Sequence, residues 1–351
     1  VPIAVAGSIA TDHLMQFPGR FSEQLLPDQL HRVSLSFLVD DLVIRRGGVA
    51  ANICYGMGLL GVRPILVGAV GADFDPYRQW LVAAGVDCSH VLTCMDVQTA
   101  RFVCTTDAEM NQIATFYAGA MARSREIDVA ALSEEVGGLD LLLIGADDPD
   151  GMVRHSQNAR AAGITFAADP SQQLARMDGP QVIELLTGAS LLFTNDYELG
   201  LLRSKTGWST EKITATTGTR VTTLGAHGVE IVHADGSTLK VAALPEVEKV
   251  DPTGVGDAFR AGYLAGQHRG LSEERSGQLG SYLATLVLET IGTQEYTVDP
   301  VTAQVRLADG YGSDAAAEIA AAMTWPEPAV HLAESGAVST DGWYMNRSPL
   351  V

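Results

Sequence analysis

Basic residues are scarce in this chain: 23 Lys and Arg stand against 42 Asp and Glu, a formal net charge of −19. No run of Lys or Arg is longer than the pair Arg45-Arg46. Nucleic acids and acidic membranes are held by basic clusters, so neither is an expected partner. Cysteine is rarer still. Cys54, Cys88, Cys94 and Cys104 show no C-x-x-C spacing, and the 8 histidines form no H-E-x-x-H or H-x₃-H pair. That argues against a disulfide frame or zinc site and for buried, reduced thiols. No apolar run reaches the roughly 18 residues of a membrane span. No charged-then-apolar leader is visible, so a cytoplasmic protein is expected.

Glycine is abundant, with 36 residues among 351, alongside 46% hydrophobic and 19% charged residues. The profile is globular, with tight turns or close backbone approaches. An acidic protein of this kind can handle an anionic substrate only with locally supplied positive potential. Helix N-termini and Mg²⁺ are the expected sources.

Short apolar runs alternate with helical patterns. Strands are expected at Ile3–Ser8, Pro64–Val67, Leu141–Gly145, Thr165–Ala168, Leu191–Thr194 and Val221–Leu224. Helices are expected at Val49–Leu60, Asp75–Ala84, Asp150–Ala162, Pro180–Thr187, Asp196–Leu202, Gly254–His268, Leu271–Ile291 and Asp314–Met323. Such alternation predicts an α/β, doubly wound, mostly parallel sheet flanked by helices, with ligands bound beyond the carboxyl ends of its strands. Two stretches break the pattern. Residues 13–46 carry a period-two run from Val33 to Val39 and then Leu42-Val43-Ile44. Residues 89–117 carry three further strand-like runs. Together they predict a small β-sheet lid, with residues 1–12, 47–88 and 118–323 forming the body and 324–351 an irregular tail.

The most informative segment is Asp251-Pro252-Thr253-Gly254-Val255-Gly256-Asp257-Ala258-Phe259. Two glycines just before a helix allow the N–H groups of Gly254, Val255 and Gly256 to converge at the helix's positive end. That is an anion hole suited to a phosphoryl group in transfer. Asp257, in the first turn, can take a proton from an attacking hydroxyl. An aspartate capping a helix after a glycine turn gives the same short pattern.

The full D-x-T-G-x-G-D-x-F pattern resembles the second signature of the ribokinase-like (PfkB) kinases. Gly47-Gly48-Val49-Ala50-Ala51-Asn52 resembles the G-G-x-x-x-N of their first. Asn195-Asp196-Tyr197-Glu198 is similar to the family's N-x-x-E motif, and Thr223 through Gly228 to its T-x-G-x-x-G turn. The opening Ala6–Leu14 and the Asp169–Leu174 segment look closest to mycobacterial and related actinobacterial adenosine kinases, over about residues 2–323. Pro252 and Val255 depart from the commoner D-T-x-G-A-G-D, at positions where backbone N–H groups do the binding.

The resemblance implies adenosine and ATP as substrates and Asp257 as base. Asp12, Gly48 and Asn52 would hold the nucleoside's ribose hydroxyls, and Ser8 would assist at the edge of its base. Phe102, Phe116, Gln172 and Gln173 would hold its base, and Ser36 would reach in from a partner. Asn195, Thr223, Gly225 and Gly228 would contact ATP, Glu198 would hold Mg²⁺ through water, and Asp251 a monovalent cation such as K⁺. It also implies a homodimer joined through the lids, burying Val33, Leu35, Phe37 and Val39. A sugar kinase of the same family would lack base recognition. A catalytically silent nucleoside or ATP binder would not need Asp257. The segment Gly7-Ser8-Ile9-Ala10 after the first strand is not G-x-G-x-x-G, which argues against a dinucleotide-binding dehydrogenase.

Overall fold

A computed structural model describes residues 1–24, 32 and 35–325. Its strands, in chain order, are Ile3–Ala6 (β1), Ala10–Gln16 (β2), Asp41–Gly47 (β3), Ile65–Val67 (β4), Ala69–Gly71 (β5), Leu92–Cys94 (β6), Ala100–Thr106 (β7), Gln112–Tyr117 (β8), Leu141–Ile144 (β9), Phe166–Ala168 (β10), Leu191–Asn195 (β11), Thr219–Thr223 (β12), Val229–His233 (β13) and Thr238–Val241 (β14). Eight of them form one sheet in the order β14-β13-β12-β11-β10-β9-β1-β4. From β12 to β4 every pairing is parallel; β13 and β14 add an antiparallel edge.

The strands are continuous apolar runs because both faces are covered. Ile3 and Val5 of β1 point into one core, with Leu143, Phe193, Ile53, Tyr263 and Leu283. Ala4 and Ala6 point into the other, with Leu142, Phe166, Met152, Leu185 and Ile213. Helices Val49–Leu59, Val255–His268 and Glu273–Leu288 cover the first face. Helices Pro149–Ala162, Gly179–Leu186 and Thr210–Thr217 cover the second. This is the doubly wound α/β architecture expected from the sequence.

The second sheet has four strands in the order β3-β2-β7-β8. Its members differ from those the sequence pattern suggested. β2, which opens the sheet, begins at Ala10, so a lid boundary at residue 13 falls inside a strand. The period-two run contributes no strand among its described residues, 35–39; Val33 and Ser34 lie outside the described residues, as does the tail beyond Trp325. Phe37 instead packs against Phe17 and Phe21, each at 4.9 Å between ring centroids, which holds the run as an extended segment without a ladder partner. β6 also leaves the lid, pairing with β5 in a separate two-stranded sheet.

Candidate active site

The body and the four-stranded sheet enclose a cavity of about 740 Å³ at the carboxyl ends of the parallel strands. Its floor comes from three turns. After β1, Ser8 accepts a hydrogen bond from the Val49 N–H to its hydroxyl at 3.0 Å, tying that turn to the start of the Val49–Leu59 helix. Gly48 sits at φ +98, and a Cβ there would lie 2.6 Å from the Ser8 carbonyl oxygen. Only glycine satisfies both the dihedral and the space. After β11, Asn195 caps the Asp196–Thr206 helix: its side chain accepts the Glu198 N–H, and Glu198 accepts the Asn195 N–H, each at 2.8 Å. The N-x-x-E pattern is thus a capping box as well as a cavity lining.

The third turn carries Asp257. Gly254, at φ +78, precedes the Val255–His268 helix, and its missing Cβ makes room for Thr293. Asp257 Oδ2 accepts a hydrogen bond from Asn52 Nδ2 at 2.8 Å. The orientation of Asn52 is fixed from behind. Gln294 donates to its Oδ1 at 2.9 Å and to the Tyr77 hydroxyl at 2.6 Å, and Tyr77 donates to the Gly47 carbonyl at 2.9 Å. The two glycine-rich signatures, about 200 residues apart in sequence, therefore meet through one amide–carboxylate contact.

Burial pushes the Asp257 carboxyl up to about 7; the Asn52 hydrogen bond and the Arg260 guanidinium oppose that rise, while Asp169 and Glu198 add to it. A base that titrates near neutrality is well matched to proton abstraction. Glu198, 8% exposed, is raised by burial, with Arg260 opposing.

The lid sheet forms the roof. Phe102 on β7 and Phe116 on β8 are directly opposite each other in antiparallel register, and both line the cavity. Opposite residues share a face, so the two rings stand on one side of the lid and line the same cavity as Gln172 and Gln173. Gln173 is 6% exposed and its Oε1 has no hydrogen-bond partner among the described residues. Ser171, next to them, holds a positive φ of 46, a backbone strain of the kind that collects at binding sites. Asp12 on β2 is pushed up to about 6 by burial and by Glu295, with Arg45 opposing.

Matching the whole of this region, residues 8–299 fit the family model described as pfkB family carbohydrate kinase. The chain belongs to the pfkB family. It is 37% identical to the nucleoside kinase of Burkholderia thailandensis solved in ligand-free form, with a TM-score of 0.79 over 87% of this chain and 99% of that one. The same protein in complex with inosine gives 34% identity and a TM-score of 0.77, covering 88% and 99%. A curated nucleoside kinase from Methanothermobacter thermautotrophicus is 31% identical over 76% of this chain and 85% of its own length. These likenesses make this pfkB chain a phosphotransferase of the nucleoside and sugar kinase class. That is a coarser class than the actinobacterial adenosine kinases its opening segment resembles.

Of the expected site residues, the cavity gathers Ser8, Asp12, Gly48, Asn52, Phe102, Phe116, Gln172, Gln173, Asn195, Glu198, Thr223, Gly225, Gly254, Gly256 and Asp257. Asn195, Thr223 and Gly225 are shared with an adjoining open groove of about 560 Å³ that also takes in Tyr197 and His227. Four residues lie elsewhere. Gly228, at φ +83, packs on the β14 backbone, where a Cβ would lie 2.0 Å from the Val241 carbonyl oxygen; its role is to seat the turn. Val255 does not line the cavity with its glycine neighbours. Asp251 braces the catalytic turn, accepting the Thr253 N–H at 2.9 Å and the Gly292 N–H at 3.2 Å. Ser36 is exposed and away from the cavity of its own chain.

The sequence reading missed Arg176, Arg260, Thr293 and Gln294. A signal for Arg260 was present: it is the only charged residue in the stretch Ala258–Gln267, and a charge on a buried helix needs a partner. Nothing in the sequence marks Gln294 as the anchor of Asn52.

Proposed function

We propose that this protein is an ATP-dependent nucleoside kinase that phosphorylates the 5′-hydroxyl of a purine nucleoside, adenosine first, giving AMP and ADP in purine salvage. One observation carries the reading. The cavity is lined by two phenylalanines from facing positions of the lid, by two glutamine side chains, and by Gly254, Gly256 and Asp257. A sugar needs no flat apolar face; a purine does. The unpartnered Oε1 of Gln173 suits an edge N–H of the base.

In this reading Asp12, Gly48 and Asn52 hold the ribose hydroxyls, and Asp257 takes the 5′-hydroxyl proton. The helix N-terminus beyond Gly254 faces the developing phosphoryl charge. The nucleotide lies along the groove past Asn195, Thr223 and Gly225. The donors fit Mg²⁺ held chiefly by phosphates and water. One oxygen of Glu198 is committed to the Asn195 N–H and the other is available to a water. No cluster of three or more His, Cys, Asp or Glu is placed to cage an ion among the described residues. When bound, Mg²⁺ supplies neutralisation of phosphate charge. The K⁺ reading at Asp251 rests on the family resemblance. The lid supports a homodimer, with the exposed Leu42, Ile44 and Ile113 as the apolar surface to be covered.

ADP release measured across adenosine, inosine, other nucleosides, ribose and fructose tests the proposal. Adenosine should lead, with free sugars poor. Inosine is worth including because a 37%-identical relative is solved in an inosine-bound form as well. A preference for ribose or fructose would overturn the reading.

A further inference from the structure

Arg260 is 5% exposed and its partner Asp169 is 0% exposed. Nη2 donates to Oδ1 at 2.7 Å, and Nε lies 2.5 Å from Oδ2 as an ion-pair contact outside hydrogen-bond geometry. The third arm of the guanidinium, Nη1, donates to the Gly256 carbonyl at 3.0 Å. A Cβ on Gly256 would lie 2.9 Å from that Nη1, so the second glycine of the G-x-G also makes room for the arginine. Asp169 directly follows β10 and begins the loop that carries Gln172 and Gln173. Arg260 lies one turn beyond Asp257 on the catalytic helix. A buried charge pair of this kind is weak evidence for stability, because desolvation offsets much of the attraction. Its position calls for a different account.

We infer that Arg260 is a positioning residue, joining the catalytic turn to the base-recognising loop and setting the charge environment in which Asp257 works. The inference rests on the kinase reading with Asp257 as base. Three carboxylates act on Arg260: Asp169 from just after β10, Glu198 from the helix after β11, and Asp257 from its own helix. The same groups act on Asp257: Arg260 favours its ionised form, while Asp169 and Glu198 oppose it, and Asn52 donates to it from the helix beyond Gly48. Two of these influences have opposite sign and belong to one ion pair. Cutting the pair from either side therefore moves Asp257 in opposite directions.

The experiment is the pH profile of kcat/KM for Asp169→Asn, Arg260→Met and Arg260→Lys, with nucleoside KM and thermal unfolding measured alongside. In Arg260→Met the favourable charge is gone, and the unpaired Asp169 takes up a proton, so only part of the shift is cancelled. The alkaline plateau should begin up to about one pH unit later, with up to about a fivefold loss at pH 7. In Asp169→Asn the guanidinium is left to Asp257 and Glu198 alone, and the plateau should begin earlier. Arg260→Lys keeps the charge but not the fork, so the profile should stay in place while the nucleoside KM rises. A purely structural role would lower activity in all three without opposed shifts. Should Arg260→Met fail to fold, Asp169→Asn and Arg260→Lys still decide. An Asp169→Asn profile that stays put or moves to higher pH, an Arg260→Met profile that stays put or moves to lower pH, or an Arg260→Lys profile that moves overturns the inference. A parent protein that phosphorylates no nucleoside would instead defeat the kinase reading beneath it.

Discussion

Replacing Asp257 with Asn separates what this residue does for catalysis from what it costs the fold. The substitution keeps the side-chain shape, and the new carboxamide oxygen can still accept the Asn52 amide that now reaches Oδ2 at 2.8 Å. The proton acceptor is lost, so turnover should fall roughly 10²- to 10⁴-fold. Nucleoside binding by calorimetry should stay close to the parent value. Stability should move the other way. The folded carboxyl titrates at about 7 against an ordinary 3.8, so between those values the native state holds a proton the unfolded chain has released. Stability present below about pH 4 is therefore lost as pH rises to about 7. Three units at about 1.4 kcal/mol each give an upper bound of about 4 kcal/mol. Asp257 lines the cavity and water reaches it, so about 2 kcal/mol is the expected figure. At pH 8 the Asn variant should melt about 3 °C higher than the parent for a chain of this size. At pH 4–5 the two should converge. Near-normal turnover would refute the assignment of the base. A variant that loses turnover yet melts lower at pH 8 would refute the argument from burial.

Three further outcomes follow from the same geometry. Phe102→Ala or Phe116→Ala should remove one stacking face, worth about 1–3 kcal/mol, and lower kcat/KM for adenosine by roughly one to two decades. Residual activity on ribose, which has no base to stack, should be unchanged; equal losses on both substrates would make the rings mere packing. Because Asp12 is raised to about 6, the ionised acceptor for a ribose hydroxyl is lost as pH falls through that value. Nucleoside KM should therefore rise below pH 6 in the parent, and Asp12→Asn should abolish that dependence. Light scattering at micromolar concentration should report a homodimer, and Leu42→Glu together with Ile44→Glu should shift it to monomer if the lid is the interface.

The body of the fold was readable in the sequence because its strands are buried on both faces. A run such as Leu141-Leu142-Leu143-Ile144 leaves little choice. The lid was harder for a physical reason. Strand β2 carries Thr11, Asp12 and His13 among its apolar residues, and the polar groups hide the strand pattern. The cleaner alternation from Leu35 to Val39 reflects packing of Phe37 on Phe17 and Phe21 without any ladder. The β13–β14 edge was missed although Asp235-Gly236, a hairpin turn signal, lies between its strands. The Pro300–Tyr311 helix was missed although Asp299 caps it and proline opens it.

The site divides along the same line. Gly48 and Gly254 were legible because a positive φ and close neighbours favour glycine there, and Gly256 because it completes the same short motif. The ion pair of Arg260 with Asp169 spans 91 positions, and no local pattern encodes it. That pair also bears on the charge problem posed by a net −19. Asp169, Glu198 and Asp257 bring three carboxylates to the place where, in the proposed reading, a polyphosphate docks. Against them stand the N-terminus of the Val255–His268 helix, Arg260 and the exposed Arg176 at the cavity wall. These groups supply positive potential locally at the cavity of an otherwise acidic protein.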